Sequence, residues 1–353
     1  MMRDPAVVAR MIRARANEIA DSVIDQQYSD YPELLSQHGE AGREKCRQDV
    51  HYHLAYLCQA LDLSLPSLFS SYAEWVANLL ANLGLEPIHL ERNLSYLENG
   101  IASLLKQDEQ RVLLSEYFVA ALSGVAHADA SVEPFVSKHD PRHEAARDYL
   151  GALLNSDRRR ATELVLDSIR TREDIRRVYL EVFQPVQREI GRLWQQRKMS
   201  VAQEHFASAV TQSVMTQMYP YLFSEPSTGP RMLTACAPGE LHEIGLRMLT
   251  DLFQLEDWDT VYLGANLPAE SLVQAVLEHK PHVVALSATI PFHLSGLKHM
   301  LSALKAEPKC EHIKTIVGGY ALNLTPEAVS RIGADAYAED AQHALSVCRS
   351  LVQ

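Results

Sequence analysis

Residues 231–245 read Arg-Met-Leu-Thr-Ala-Cys-Ala-Pro-Gly-Glu-Leu-His-Glu-Ile-Gly. Arg231 to Ala237 is a β-branched and apolar run that reads as a strand. Glu240-Leu241-His242-Glu243-Ile244-Gly245 then opens a helical pattern. Two further points of punctuation, Ser287-Ala288-Thr289 and Gly318-Gly319, also stand at the ends of predicted strands. Strands are expected at 231–236, 259–263, 282–287, 314–317 and 335–337, and helices at 240–255, 268–279, 293–306, 325–332 and 340–351. This alternation predicts a doubly wound parallel sheet. The unbroken apolar run Val283-Val284-Ala285-Leu286 predicts that both of its faces are covered. Ligands of open α/β sheets bind beyond the carboxyl ends of the strands, where His242, Ser287 and the glycine pair would gather.

These three elements resemble the signature of the cobalamin-binding domain of methionine synthase, the mutases and the light-responsive cobalamin repressors: Asp-x-His-x-x-Gly, then Ser-x-Leu, then Gly-Gly. The resemblance implies a Rossmann-like α/β domain with cobalamin as cofactor and His242 as the metal ligand, binding cobalt from below. A neutral imidazole suits that role, and an acidic neighbour fixes its tautomer and basicity. Glu240 stands where the family has Asp, as it often does in the light-responsive branch, and Thr289 stands where the family has Leu. By the same resemblance Gly245 permits close approach of the corrin or its tail, and Ser287 and Thr289 offer hydroxyls to that tail. Gly318 and Gly319 leave room for it, and Tyr320 lines its pocket. Each residue alone also fits a blander account, with His242 capping a helix and the glycines turning the chain.

Upstream, residues 143–223 read as a four-helix cap, with helices at 143–154, 157–170, 173–197 and 200–222. Trp194, Val201, Glu204 and His205 match the cap of the light-responsive branch, where Trp and Glu surround the 5′-deoxyadenosyl group. An aromatic face plus a polar anchor is a sensible way to hold adenosine. Ordinary bundle core for Trp194 and an exposed pair for Glu204-His205 are the alternatives. In the light-sensing repressors a His follows that Trp and captures cobalt after photolysis; here the position is Gln195.

Residues 1–125 read as an all-helical, globin-like sensory domain, its helices opened by Pro5, Pro66 and Pro87. On the predicted helix from Arg43 to Leu61, Cys46, Asp49, Val50 and His53 share a face. A carboxylate one turn from an imidazole suits a tetrapyrrole: Asp49 could accept from pyrrole N–H groups, and His53 could stack or ligate haem iron. The Cys46–Asp49 spacing is similar to the chromophore helix of phycobiliproteins, and the whole arrangement resembles photocobilins, which implies biliverdin or another linear tetrapyrrole. An Asp–His pair at a surface is the plain alternative. Ala126–Arg142 breaks every period and is the expected linker, and Ser224–Pro230 a second one before the domain at 231–353. His127, His139 and His143 read as solvated rather than as a metal site.

The net charge of −12 at pH 7, with no basic recognition helix in view, leads to the expectation of no direct nucleic-acid partner. No apolar run reaches membrane-spanning length, so no membrane partner is expected. The start, Met-Met-Arg-Asp-Pro, lacks a secretory pattern. Five scattered cysteines without Cys-x-x-Cys spacing read as free thiols of a reducing cytosol, hence a cytoplasmic protein. No catalytic base or phosphate loop is visible, so the chain reads as a non-enzyme: a photoreceptor for adenosylcobalamin and a bilin, in which cobalt–carbon photolysis changes domain arrangement or oligomer state and signals through a homo-oligomer, such as a dimer, or an unidentified protein partner. A corrinoid carrier for methyl transfer and a haem or redox sensor using His53 are the alternative functions.

Overall fold

The computed structural model describes residues 4–129, 132–223 and 227–352. Residues 130–131 of the expected first linker and 224–226 of the second lie outside the described residues. The chain divides into two compact units. One comprises 1–130 with 290–298 and 321–333; the other comprises 131–289, 299–320 and 334–353.

The first unit is helical, with helices Pro5–Ala14, Ala16–Asp30, Glu33–Leu63, Pro66–Asn82, Pro87–Leu104 and Asp108–Ala126. Three of them begin on proline, whose fixed φ and missing N–H suit the first helical position. At the first, the Asp4 carboxylate accepts the Ala6 N–H at 3.0 Å. Glu33–Leu63 breaks at Gly39, whose φ of +63° lies in the left-handed region open to glycine. Sequence periodicity resumes only past that break. Val8, Ile12, Leu57, Leu61, Phe69, Leu97 and Phe118 are fully buried. Helices Pro66–Asn82 and Asp108–Ala126 approach so closely that a Cβ on Gly124 would lie 2.2 Å from the Ser70 carbonyl oxygen.

The second unit joins a helical bundle to a parallel sheet. The bundle contains Glu144–Leu154, Arg158–Leu166, Arg172–Arg177 running through a π-helical turn Val178–Phe183 into Gln184–Gln195, then Val201–Gln217 and Tyr219–Leu222. Its starts are written in the sequence: Asp157 caps Arg160 N–H, and Thr171/Asp174 and Ser200/Gln203 form reciprocal capping boxes. Its core includes Tyr149, Tyr179, Phe183, Val186 and Met215, joined by Met248 and Leu252 from helix Ile244–Leu255.

The sheet contains β1 (Arg231–Cys236), β2 (Asp259–Tyr262), β3 (Val283–Ser287), β4 (Lys314–Gly318) and β5 (Ala336–Tyr337). All neighbours pair in parallel, in the order β2-β1-β3-β4-β5. Every residue of β3 is buried, as expected of a sheet covered on both faces. Connections leave β1 toward β2 on one side and return to β3 on the other, so the strand order reverses between β1 and β3. That crevice is where ligands of doubly wound sheets bind. Helix Ile244–Leu255 starts later than the sequence period suggests, because Glu240 to Glu243 form the loop that enters the crevice.

Candidate functional site

The register sets three loop origins side by side: Cys236 lies beside Ser287, and Ser287 beside Gly318. Beyond β1, Gly239 takes a φ of +82° and donates its N–H to Asn266 Oδ1 at 2.7 Å, which turns the chain over the sheet edge. Glu240 is wholly buried. Its Oε1 accepts the His242 backbone N–H at 2.9 Å and lies 2.6 Å from His242 Nδ1, while its Oε2 accepts the Thr289 N–H at 2.7 Å. One carboxylate thus joins the loop after β1 to the loop after β3 and orients the imidazole between them.

With Nδ1–H directed at Glu240, the tautomer implied by that partner leaves Nε2 as the outward donor. The His242 side chain is 58% exposed. Its pKa is raised above the ordinary 6.5, first by the hydrogen bond to Glu240 and further by the charges of Glu240 and Glu204, against partial burial. The ring is therefore a strengthened σ-donor. Among the described residues no group of three or more His, Cys, Asp or Glu could hold a metal ion. A lone imidazole of this kind suits a metal that brings its other ligands with it, as a corrin does.

The glycines divide into two kinds. A Cβ on Gly319, at φ +103°, would lie 2.4 Å from the Ala288 carbonyl oxygen, and one on Gly318 would lie 2.9 Å from that of Ala338. These two let the loop after β4 press against its neighbours. A Cβ on Gly245 would meet nothing within 4 Å, so the fold itself does not require glycine there. The open space at this first turn of the helix leaves room for a ligand. Ser287 is buried at the strand end, and Tyr320, 59% exposed, opens the short helix after the glycine pair.

The bundle approaches the His242 loop through Gln212, which bonds to Glu243. Trp194 and Val201 are large apolar side chains left exposed, as is Leu241 in the ligand loop at 71%. Glu204 Oε1 accepts from Ser208 Oγ at 2.8 Å, and its Oε2 lies 2.6 Å from Nδ1 of the exposed His205. Glu204, Ser208 and Gln212 succeed one another at helical spacing on one face. Gln212 Nε2 donates to Glu243 Oε1 at 3.0 Å. That face is therefore turned toward the His242 loop, and the charge of Glu204 is felt at the imidazole.

In the helical unit, Val50 and His53 lie on the buried side of Glu33–Leu63, Cys46 is half-buried, and Asp49 stays at the exposed edge of that face. His53 is 5% exposed, with Nδ1 2.8 Å from Tyr72 Oη, and burial pushes its pKa down to about 4. Tyr72 stacks on Tyr56 with centroids 3.8 Å apart and neighbours Trp75. Tyr28 Oη donates to Cys46 Sγ at 3.9 Å. Of the linker histidines, His143 Nδ1 accepts the Ser137 N–H and His127 Nδ1–H donates to the Ser123 carbonyl.

Sequence reasoning missed the Tyr56–Tyr72–Trp75 stack, which depends on packing between helices that no local period reveals. It also missed Asn266, Gln212 and Tyr262 around the β1 loop. Glu243 lay inside the quoted stretch, but its partners are far away in sequence.

Residues 230–346 match the family model described as B12 binding domain, and residues 145–219 match a second B12 binding domain model. The chain is 30% identical over 226 residues to the HTH-type transcriptional repressor CarA of Myxococcus xanthus, covering 63% of this chain and 74% of that one. It is 26% identical over 168 residues to dimethylamine corrinoid protein 1 of Methanosarcina acetivorans, covering 46% and 77% respectively. The solved structure of Methanosarcina barkeri monomethylamine corrinoid protein aligns with a TM-score of 0.51 at 21% identity, over 60% of this chain and 99% of that one, and shows a shared fold. The expectation of no direct nucleic-acid partner is overturned by the first relative. It is a helix-turn-helix repressor, and that motif reads DNA. Net charge averaged over a chain of several domains was the wrong quantity from which to exclude such a partner. Among the described residues no helix is long and apolar enough to cross a membrane.

Proposed function

The chain belongs to the B12-binding protein family, and from that premise we propose that it is an adenosylcobalamin-dependent light sensor of the cytoplasm, not an enzyme. In this reading 1–125 is a bilin-binding sensory domain, 126–142 a linker, 143–223 the cobalamin cap and 231–353 the cobalamin-binding domain. Adenosylcobalamin supplies a cobalt–carbon bond that visible light breaks. The carrying observation is the buried Glu240, which orients His242 between the loops after β1 and β3, within electrostatic reach of Glu204 on the bundle.

His242 would hold the cobalt through Nε2 as its lower donor, with its tautomer held by Glu240. Gly245, Ser287, Thr289, Gly318, Gly319 and Tyr320 surround the cofactor tail. Trp194, Val201, Glu204 and His205 would contact the adenosyl group. Contacts from these residues to an adenosyl group would favour the domain arrangement that makes them, and their loss would shift the balance of arrangements. The proposed outputs are a change of oligomer state and control of transcription, the latter supported by the repressor relative.

The test is a dark-purified chain loaded with adenosylcobalamin and followed spectrally before and after green light. Prompt conversion to a spectrum without the adenosyl ligand is expected. A light-stable cobalamin that accepts methyl groups would instead establish the corrinoid carrier, the reading favoured by the amine-pathway relatives. An exposed Trp194 and Val201 are better suited to an adenosine than to an open methyl-transfer face.

For the helical unit we propose biliverdin, or another linear tetrapyrrole, near Cys46, Asp49 and His53, supported by the aromatic stack beside His53. The buried, Tyr72-engaged ring of His53 disfavours the haem sensor. A red-shifted biliverdin band, weakened by His53→Ala and Asp49→Ala, is the expected result.

A further inference from the structure

Helix Ile244–Leu255 presents more than apolar side chains to the bundle. Glu243, Arg247 and Asp251 fall on one stripe at helical spacing, and each is bonded across to a bundle residue. Glu243 accepts from Gln212 Nε2 at 3.0 Å. Arg247 donates to Thr216 Oγ1 at 2.9 Å and Tyr219 Oη at 3.0 Å, with its guanidinium over the Tyr219 ring. Asp251 accepts from Tyr179 Oη at 2.6 Å, inside the π-helical turn. Gln212 and Thr216 are themselves one turn apart on the helix that carries Glu204. Beside this stripe Met248 and Leu252 are packed into the bundle core.

Apolar contacts tolerate sliding, because dispersion and burial are nearly non-directional. Hydrogen bonds do not, since they weaken steeply when bent or stretched. A polar stripe set into an apolar interface therefore fixes register. Its first member is also the residue that follows His242. Glu243 Oε2 receives a second donor, Tyr262 Oη at 2.8 Å from the end of β2. Burial, and then that carboxylate, raise the Tyr262 pKa, so the phenol stays protonated as a donor.

We propose that Glu243, Arg247 and Asp251 form a polar seam that sets the cap in register over the cobalamin face, and that Glu243 is the positioning residue coupling the seam to the axial ligand His242. The proposal rests on the cobalamin reading. The Glu243 carboxylate bonds to Gln212 and Tyr262, so its part is positional. It acts by holding the loop that carries His242 between the sheet, through Tyr262, and the cap, through Gln212. Movement of the cap helix then tugs on the lower-ligand loop, and capture of His242 stiffens the cap.

The test uses the full chain, with hydroxocobalamin as probe. Wild type is compared with Glu243→Ala, Glu243→Gln, Gln212→Ala and the double variant Gln212→Ala/Glu243→Ala. Circular dichroism and melting of the unloaded proteins check folding, and Gln212→Ala, at a half-buried position, serves should Glu243→Ala fold poorly. Glu243→Ala should bind about tenfold more weakly, the scale of losing hydrogen bonds to a charged acceptor. After reduction to cobalt(II), its electron paramagnetic resonance spectrum should lose part of the axial-nitrogen splitting that reports His242 ligation. Glu243→Gln should restore most of both, because an amide oxygen still accepts from Gln212. The double variant should be no weaker than Glu243→Ala, since Glu243→Ala already removes the link that Gln212→Ala breaks. Wild-type affinity and splitting in Glu243→Ala, or strictly additive losses in the double variant, would overturn the seam while leaving cobalamin binding intact. A wild-type chain that takes up no hydroxocobalamin would overturn the cobalamin reading and the seam's role with it.

Discussion

Glu240 accepts three N–H groups through two oxygens, and no neutral side chain of its length can do the same. In Glu240→Gln one terminal atom becomes a donor facing either the Thr289 amide or His242 Nδ1. The ring would escape the conflict by moving its proton to Nε2, which removes the lone pair aimed at the ligand. Cobalamin affinity should fall about 10- to 100-fold, the usual cost of losing a partner behind a metal ligand, as measured by equilibrium titration. The two kinds of glycine separate by the same logic. Gly319→Ala combines a left-handed backbone with a carbonyl contact, so the unloaded protein should lose about 3 kcal/mol of stability. Gly245→Leu has open space around it and should leave the unloaded melting temperature within a degree or so while weakening cobalamin uptake. A Gly245→Leu chain that melts early would show the space to be structural. His242 and Glu240 were legible because their relation is local, two residues apart. Why Gly318 and Gly319 are glycines was not, because the atoms they avoid belong to Ala338 and Ala288 on other strands' loops.

Elements whose boundaries are set by short-range chemistry were read closely from sequence. The five strands match their expected positions to within a residue or two at either end, since unbroken apolar runs between turn residues admit few alternatives. The bundle helices match where capping boxes mark their starts. The π-helical turn left no such mark, being a widened turn inside a continuous period. It places Tyr179 against Asp251, and burial there pushes the carboxyl up to about 6. A raised carboxyl favours the protonated folded state. Its stabilising contribution is complete below the ordinary value of 3.8 and is lost as the pH rises through about 6. Asp251→Asn keeps an acceptor for Tyr179 without that loss. Its stability relative to wild type should therefore improve by up to about 3 kcal/mol between pH 4 and pH 7, read as the difference between two denaturation curves at each pH. A difference that stays flat across this range would mean that Asp251 is not the titrating group.

At the scale of the whole chain, two compact units carry two separate sets of candidate site residues, and the sequence described them unequally. The cobalamin set follows a short motif whose spacing maps onto strand ends. The set on Glu33–Leu63 follows only a helical face, and its aromatic neighbours Tyr56, Tyr72 and Trp75 became visible through packing. If each unit holds its own chromophore, the two losses must be separable. His242→Ala removes the axial donor and should abolish the imidazole-ligated cobalamin spectrum while leaving the biliverdin band in place. His53→Ala leaves Tyr72 without its imidazole partner in a buried site, so it should cost about 1–3 kcal/mol of stability in that unit as well as weakening biliverdin binding. Cobalamin uptake by His53→Ala should be unchanged. The spectra of doubly loaded protein then test coupling: green light absorbed by adenosylcobalamin should alter the biliverdin band in wild type, because a ligand that distinguishes two states must shift whatever else distinguishes them. A biliverdin spectrum indifferent to cobalamin photolysis would leave two pigments on one chain with no shared switch.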